Sequence, residues 1–264
     1  MKFLKSTLIL CALTLVFSCK NEKNNTDISE ENDVVNSETT AMTTENSNIE
    51  VIPIEHATLI LKTKSETIYV DPTGGAEAFE GNASPTLVLV TDIHGDHLSI
   101  ETLQALDLKN ATIIGPAAVT EKLPKDIAKT VVTINNDDSY NFNSVDITAI
   151  PMYNLRKEEL DKHPKGRGNG YVLTINDERI YISGDTEDIP EMRNLENIDK
   201  AFVCMNLPYT MPVDSAADAV LEFKPNTVYP YHYRGADGLS DVDKFKEIVN
   251  NGDESIEVML LDWY

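Results

Sequence analysis

The chain has 264 residues, 41% of them hydrophobic, with 44 Asp and Glu against 22 Lys and Arg for a net charge of −22. This length fits one large domain with tails, and the composition is that of an ordinary globular protein, which excludes collagen-like and wholly disordered classes. So much negative charge repels a polyphosphate backbone and excludes nucleic acid as a partner, and three cysteines are too few for a disulfide framework.

Residues 1–18 read as an export signal: basic Lys2 and Lys5, the apolar run Leu8 to Phe17, then the small Ser18 before Cys19. The apolar run is too short for a permanent membrane span. Val16-Phe17-Ser18-Cys19 resembles a bacterial lipobox, which implies cleavage before Cys19, acylation of that residue and anchoring to a membrane on the exported side, at the periplasm or cell surface. Residues 19–50 follow as an acidic tether. From Lys20 to Glu50 there are eight acidic residues against two lysines and no aromatic residue, Gly or Pro, so too little apolar surface is available to offset conformational entropy. The working domain is therefore expected over 51–264.

Within that domain 57–63 and 66–71 read as a hairpin, and 86–91, a continuous apolar run, as a strand buried on both faces. A helix capped by Ser99 runs to about Leu108, followed by strand 111–115, helix 117–123 and strand 130–134. Residues 139–150 and 170–184 read as strand segments, the second turning at Asn176-Asp177. A helix near 188–195, strand 201–205, helix 213–223, strand 227–231, helix 241–250 and strand 256–261 complete the domain. Hairpins with interspersed helices imply an α/β fold of two packed sheets covered by helices. Cys204, inside an apolar strand, reads as a core thiol.

The chemistry gathers where strands end. Asp92-Ile-His94-Gly-Asp96-His97 places two histidines and two aspartates directly after a buried strand, and imidazoles with carboxylates are ligands for zinc and its neighbours. A solvated helix cap would also account for these polar residues taken alone. The same placement recurs at Asp185, after 179–184, and at His232, after 227–231, so that three strand ends deliver potential ligands.

With these residues the chain resembles the metallo-β-lactamase fold superfamily, whose signature is His-x-His-x-Asp-His followed by a His, an Asp and a last His. The resemblance implies an αββα sandwich: two mixed β-sheets packed face to face with helices on the outer faces. It also implies two divalent metal ions, zinc first, with manganese or iron as alternatives. Asp92, His94 and His163 would hold one, Asp96, His97 and His232 the other, and Asp185 would bridge them. Asp92 stands where the signature has its first His, which makes that position more anionic and could weaken it. Ile54-Glu55-His56-Ala57 with Val70-Asp71-Pro72 is similar to the branch containing ascorbate-6-phosphate lactonase and N-acyl-phosphatidylethanolamine phospholipase D. No flavodoxin-like domain is present and the second His is kept, so oxidoreductase chemistry is disfavoured.

The implied activity is hydrolysis by a hydroxide held between two metals, with Asp96 orienting it and handling its proton. The substrate class is a small phosphodiester or a lactone or ester. His56, Tyr153, Asn154, Arg167 and Arg234 are candidate pocket residues, the arginines for an anionic oxygen. The competing expectation is a lipid-anchored metal-binding or scaffold protein that keeps the fold without turnover. Nothing in the sequence assigns an oligomeric state.

Overall fold

The computed structural model describes residues 49–264. The export signal expected over 1–18 and the tether with Cys19 expected over 19–50 lie, apart from the last two tether positions, outside the described residues.

One sheet contains β1 (Glu50–Glu55), β2 (Thr58–Lys62), β3 (Thr67–Val70), β4 (Leu87–Leu89), β5 (Thr112–Gly115) and β6 (Thr130–Thr133), in that spatial order. Its first two pairings are antiparallel and the rest parallel. The second sheet uses β7 (Ser139–Phe142), β8 (Val145–Met152), β9 (Gly168–Ile175), β10 (Glu178–Ile182), β11 (Lys200–Cys204), β12 (Thr227–Tyr231) and β15 (Glu257–Val258), ordered β15-β12-β11-β10-β9-β8-β7. A separate two-residue pair joins β13 (Arg234–Gly235) to β14 (Gly238–Leu239).

Alternation along the strands explains the layers. Leu59, Leu61, Ile68, Val70, Leu87 and Leu89 face the second sheet and share a core with Ile147, Tyr171, Leu173 and Ile182. Their neighbours Ile60, Tyr69, Val88 and Val90 point the other way, onto Leu103 of α1 (Ile100–Ala105) and Val119 of α2 (Ala117–Thr120). Both faces of this sheet are buried, as its unbroken apolar runs require. α3 (Pro190–Arg193), α4 (Val213–Phe223) and α5 (Val242–Gly252) accompany the second sheet. Ala216, Ala217 and Val220 of α4 and Phe245 and Val249 of α5 lie in the same core. Ser99 caps α1, accepting from the Thr102 amide at 3.1 Å, and Asp241 caps α5. The fold is the expected two-sheet α/β sandwich.

Three local differences have physical reasons. The stretch expected as a strand over 139–150 is a hairpin, β7 to β8, turning at Asn143, whose φ is +50°. β1, not foreseen, is an edge strand containing Pro53, with a register irregularity between Pro53 and Glu55; proline is tolerated at edges and disguises them in sequence. β15 is shorter than its apolar pattern because it pairs with β12 only at Thr227 and Val228, and α3 starts at Pro190, which cannot continue a helix from before it, and runs only to Arg193. The turn at Asn176-Asp177 is present, with φ +51° and +67°, as a tight hairpin demands.

Candidate metal centre

Strand ends of both sheets converge at one edge. β3 exits into Asp71, β4 into the stretch ending at Asp92 to His97, β8 into Tyr153 and Asn154, β10 into Ser183-Gly184-Asp185 and β12 into His232. Gly184 has φ +59°, and a Cβ there would meet Met152 Sδ at 2.6 Å, so the turn that aims Asp185 requires glycine. His56, Asp71 and His232 carry φ of +57°, +46° and +47° without being glycine. Backbone strain of this kind collects at functional sites and is held by the surrounding structure.

Three groups of side chains place ligand atoms within 4.8 Å of one another: Asp92, His94 and His163; His97, Asp185 and His232; His56, Asp96 and His232. Asp185 connects them. Its Oδ2 lies 3.3 Å from His97 Nε2 and 3.1 Å from His163 Nε2, and its Oδ1 lies 3.3 Å from His232 Nε2. Asp96 Oδ2 is 3.5 Å from His232 Nε2 and 3.4 Å from His56 Nε2.

Hydrogen bonds assign the imidazole protons. His97 Nδ1 lies 2.9 Å from Asp71 Oδ2 and 3.0 Å from Thr91 Oγ1, and the Thr91 hydroxyl already donates to Asp71 at 2.6 Å. His97 therefore carries a proton on Nδ1 and turns Nε2 to the centre. Asn154 donates its amide to the Glu159 and Tyr209 carbonyls, at 2.9 and 2.7 Å, which leaves its Oδ1 to accept from His163 Nδ1 at 3.3 Å. His163 Nε2 is thereby also turned inward. Imidazole nitrogens facing a carboxylate at these distances need positive charge between them, a proton in the metal-free chain or a bound cation. Two ligand atoms each about 2.1 Å from a tetrahedral ion are separated by about 3.4 Å, close to what is found here.

The electrostatics agree. Burial raises the Asp185 carboxyl, but His232, His97 and His163 outweigh it and hold it well below the usual carboxylate range. Burial opposes charge on His97, yet Asp185 and Asp71 drive its basicity well above the ordinary histidine value. Buried Asp185 Oδ1 and His232 Nδ1 have no hydrogen-bond partner among the described residues. This donor set fits divalent metal ions, with neutral imidazoles and carboxylates as ligands.

The Asp92 side differs. Arg167 grips Asp92 with two bonds, Nε to Oδ1 at 3.1 Å and Nη2 to Oδ2 at 2.9 Å, while His94 Nδ1 sits 2.8 Å from the same Oδ2. Burial raises Asp92, but His94, His97 and Arg167 outweigh it and lower its carboxyl overall.

A cavity of about 230 Å³ opens on the cluster, lined by His94, Asp96, His163 and Asp185 together with Lys162, Asn206 and Tyr209. A larger depression of about 640 Å³, between α1 and the loop before β6, shares no residue with the cluster. None of the five pocket residues expected from the sequence, His56, Tyr153, Asn154, Arg167 and Arg234, lines this cavity. The Tyr153 hydroxyl donates to Glu191 at 2.9 Å, and Arg234 pairs with Glu55 at 3.6 Å and lies 4.2 Å over the Tyr264 ring. Asn154 and Arg167 act on His163 and Asp92 rather than on open space, and His56 joins Asp96.

Sequence reasoning missed Asp71, Tyr264, Lys162 and Tyr209, and also Arg156. Buried Glu187 accepts from the amides of Leu155 and Arg156, both at 3.0 Å, and from Arg156 Nε at 2.6 Å. Arg156 in turn donates to the Pro208 and Thr210 carbonyls, both at 2.6 Å, fastening the His163 loop to the segment after β11. Asp71 did carry a signal: like Asp92 and Asp185, it is an acid directly after a buried strand.

The domain model described as "Beta-lactamase superfamily domain" matches residues 50–232, more than half of the chain. The chain belongs to the β-lactamase superfamily. Among relatives in this superfamily, a protein of Pyrococcus horikoshii named a UPF0173 metal-dependent hydrolase is 31% identical over 208 residues, covering 75% of this chain and 89% of its own. The crystal structure of a protein from Parabacteroides distasonis, called a metal-dependent hydrolase, superposes with a TM-score of 0.73 at 34% identity, covering 82% of this chain and 94% of that one. A metallo-β-lactamase fold protein from Bacillus subtilis gives 0.65 at 14% identity, over 81% and 96%, and shares the fold.

Proposed function

We propose that the protein is a metal-dependent hydrolase acting on a small phosphodiester, lactone or ester, exported and lipid-anchored through Cys19, with two divalent ions, zinc first, at the strand-end cluster. The observation that carries this reading is Asp185. One buried carboxylate turns Oδ2 to His97 and His163 and Oδ1 to His232, so a single side chain reaches both halves of the ligand set.

Ions so placed would lower the pKa of a shared water toward neutrality and polarise the bond under attack. The chain supplies the rest. Both Asp96 and Asp185 line the cavity, but Asp96 is 43% exposed against 4% for Asp185, so it is the more open of the two to a solvent molecule. There it orients the attacking water and receives its proton at a carboxylate oxygen. Burial raises Asp96, but its contacts with His232 and His56 outweigh this and hold it far below the usual range, so it stands ionised as a hydrogen-bond acceptor for the water it orients. Lys162, whose Nζ lies 5.6 Å from the centre of the Tyr209 ring, offers a cation in the cavity lining for a phosphoryl or carbonyl oxygen. Asn154 and the Arg156–Glu187 pair tie His163 and its loop to the segment that carries Tyr209.

The test is metal analysis with a hydrolysis panel. Two equivalents of metal, with turnover of a phosphodiester, lactone or ester that Asp96→Asn abolishes, supports the enzyme. At most one equivalent, with no turnover on any of the three, supports a metal-binding or scaffold protein instead.

A further inference from the structure

His56 occupies an unusual position. It is the first residue of the two-residue turn between β1 and β2, where Glu55 pairs with Thr58, and its φ of +57° favours glycine. The chain places an imidazole there and holds it from four directions. Its carbonyl accepts from the His232 amide at 3.1 Å. Its ring lies 3.8 Å from the His232 ring, centre to centre. Its Nε2 faces Asp96 Oδ2 at 3.4 Å, and its Nδ1 is 2.7 Å from the hydroxyl of Tyr264, 208 positions away.

Tyr264 decides which nitrogen carries the proton. Its oxygen accepts from the amides of Tyr233 and Arg234 at 3.1 and 3.2 Å. A phenol has one proton to give and two lone pairs to receive. Both acceptor positions are taken, so the proton points at His56 Nδ1. Burial pushes this hydroxyl up to about 12, so it keeps its proton at neutral pH. His56 Nδ1 must then be an acceptor, and the ring proton sits on Nε2, toward Asp96. A nitrogen bearing a proton cannot ligate a metal, which removes His56 from the ligand set despite its place beside Asp96 and His232.

We propose that Tyr264 and His56 are positioning residues for Asp96: the Tyr264 hydroxyl fixes His56 in the Nε2–H form, and that N–H orients the carboxylate which handles the proton of hydrolysis. The inference rests on the hydrolase reading for Asp96. Outer partners of this kind commonly change metal affinity or activity by about 10- to 100-fold when removed.

The experiment uses the full chain with ¹⁵N-labelled histidine, metal-free and zinc-loaded. Long-range proton–nitrogen correlation spectra should show His56 protonated at Nε2 alone in both states, and Tyr264→Phe should move population to the Nδ1–H form. In the zinc-loaded enzyme, Tyr264→Phe should lower kcat by about 10-fold or more with KM and zinc content unchanged, and His56→Gln, which keeps a donor, should retain more activity than His56→Ala. Protonation of wild-type His56 at Nδ1 overturns the proposal, whatever the variants do. An unchanged kcat in Tyr264→Phe overturns it as well. A zinc-loaded wild type with no turnover of any phosphodiester, lactone or ester would overturn the hydrolase reading instead, while leaving the Nε2–H assignment standing, whereas wild-type turnover that survives Asp96→Asn overturns the positioning role.

Discussion

His97 and His232 reach the cluster with no exposed side-chain surface, and His97 is fixed from behind by Asp71, itself fully buried. On the opposite side His94 is 39% exposed, and Asp92 shares its carboxylate with Arg167, 18% exposed and carried on the loop before β9. The first half is built from strand ends and a fixed imidazole proton. The second shares the β4 exit but takes His163 and Arg167 from the loop before β9, and already contains a cation. A ligand set can thus be complete in residue types and still be uneven in readiness: the His97 half waits for positive charge, whereas the Asp92 half has part of its own neutralised by a guanidinium. By charge, Asp92 with Arg167 sums to that of the neutral imidazole the superfamily signature has at this position.

The largest effect should come from the residue the halves share. Asp185→Asn removes the charge that faces His97, His163 and His232 together, and should leave protein eluted from a sizing column with neither ion and with no hydrolysis above background. Retention of one full equivalent, measured by elemental analysis, would mean that Asp185 serves one half alone. Asp71→Asn should be smaller and one-sided. Asparagine tolerates the left-handed backbone at this position, so the fold is kept while the carboxylate behind His97 is lost. Competitive chelator titration should show the His97 half weakened by about 10- to 100-fold and the Asp92 half unchanged. Equal weakening of both would erase the distinction.

Arg167→Met acts in the opposite direction. Removing a cation that holds both oxygens of Asp92 frees them for a metal, and the Coulomb repulsion it relieves, screened by partial exposure, should tighten the second equivalent by on the order of tenfold. Isothermal titration of zinc into metal-free protein reads this directly. Looser binding would show instead that Arg167 orients Asp92 as a ligand, and that the two halves are equally prepared.

The same contrast marks what the sequence could convey. Asp92 to His97 was legible because four ligating side chains lie within six residues after an apolar run, and Asp185 and His232 because each follows a strand of the same kind. The two-sheet fold was legible from hairpins with interspersed helices, while the unbroken apolar runs hid which face each residue takes, as where Leu59 and Leu61 part from Ile60. Partnerships across the fold were not. Asp71 meets His97 over 26 positions, Arg167 meets Asp92 over 75 and Tyr264 meets His56 over 208, and no local spacing encodes such pairs. Arg167 and Arg234 look alike on paper as anion hooks, and the structure commits one to Asp92 and the other to Glu55 and Tyr264.

The effect furthest from the metal ligands concerns Cys204, which is buried beside Asp185 and belongs to neither half. Burial, then the nearby Asp185 charge, pushes its thiol up to about 11 from an ordinary value of 9.0, and its Sγ donates to the Thr186 carbonyl at 3.4 Å. A thiol so placed should resist alkylation in the native protein at neutral pH and react only on unfolding, as mass mapping of the labelled cysteine would show. The same shift fixes the sign of its stability term. Because the folded pKa is the higher one, this contribution is fully present below about 9 and is lost as pH rises toward about 11, amounting to on the order of 2–3 kcal/mol. Cys204→Ala should therefore unfold with a shallower decline over that alkaline range than the wild type. Rapid native labelling of Cys204 would instead mean that the packing beside Asp185 opens, and the fixed geometry attributed to the shared carboxylate would have to be abandoned for both halves.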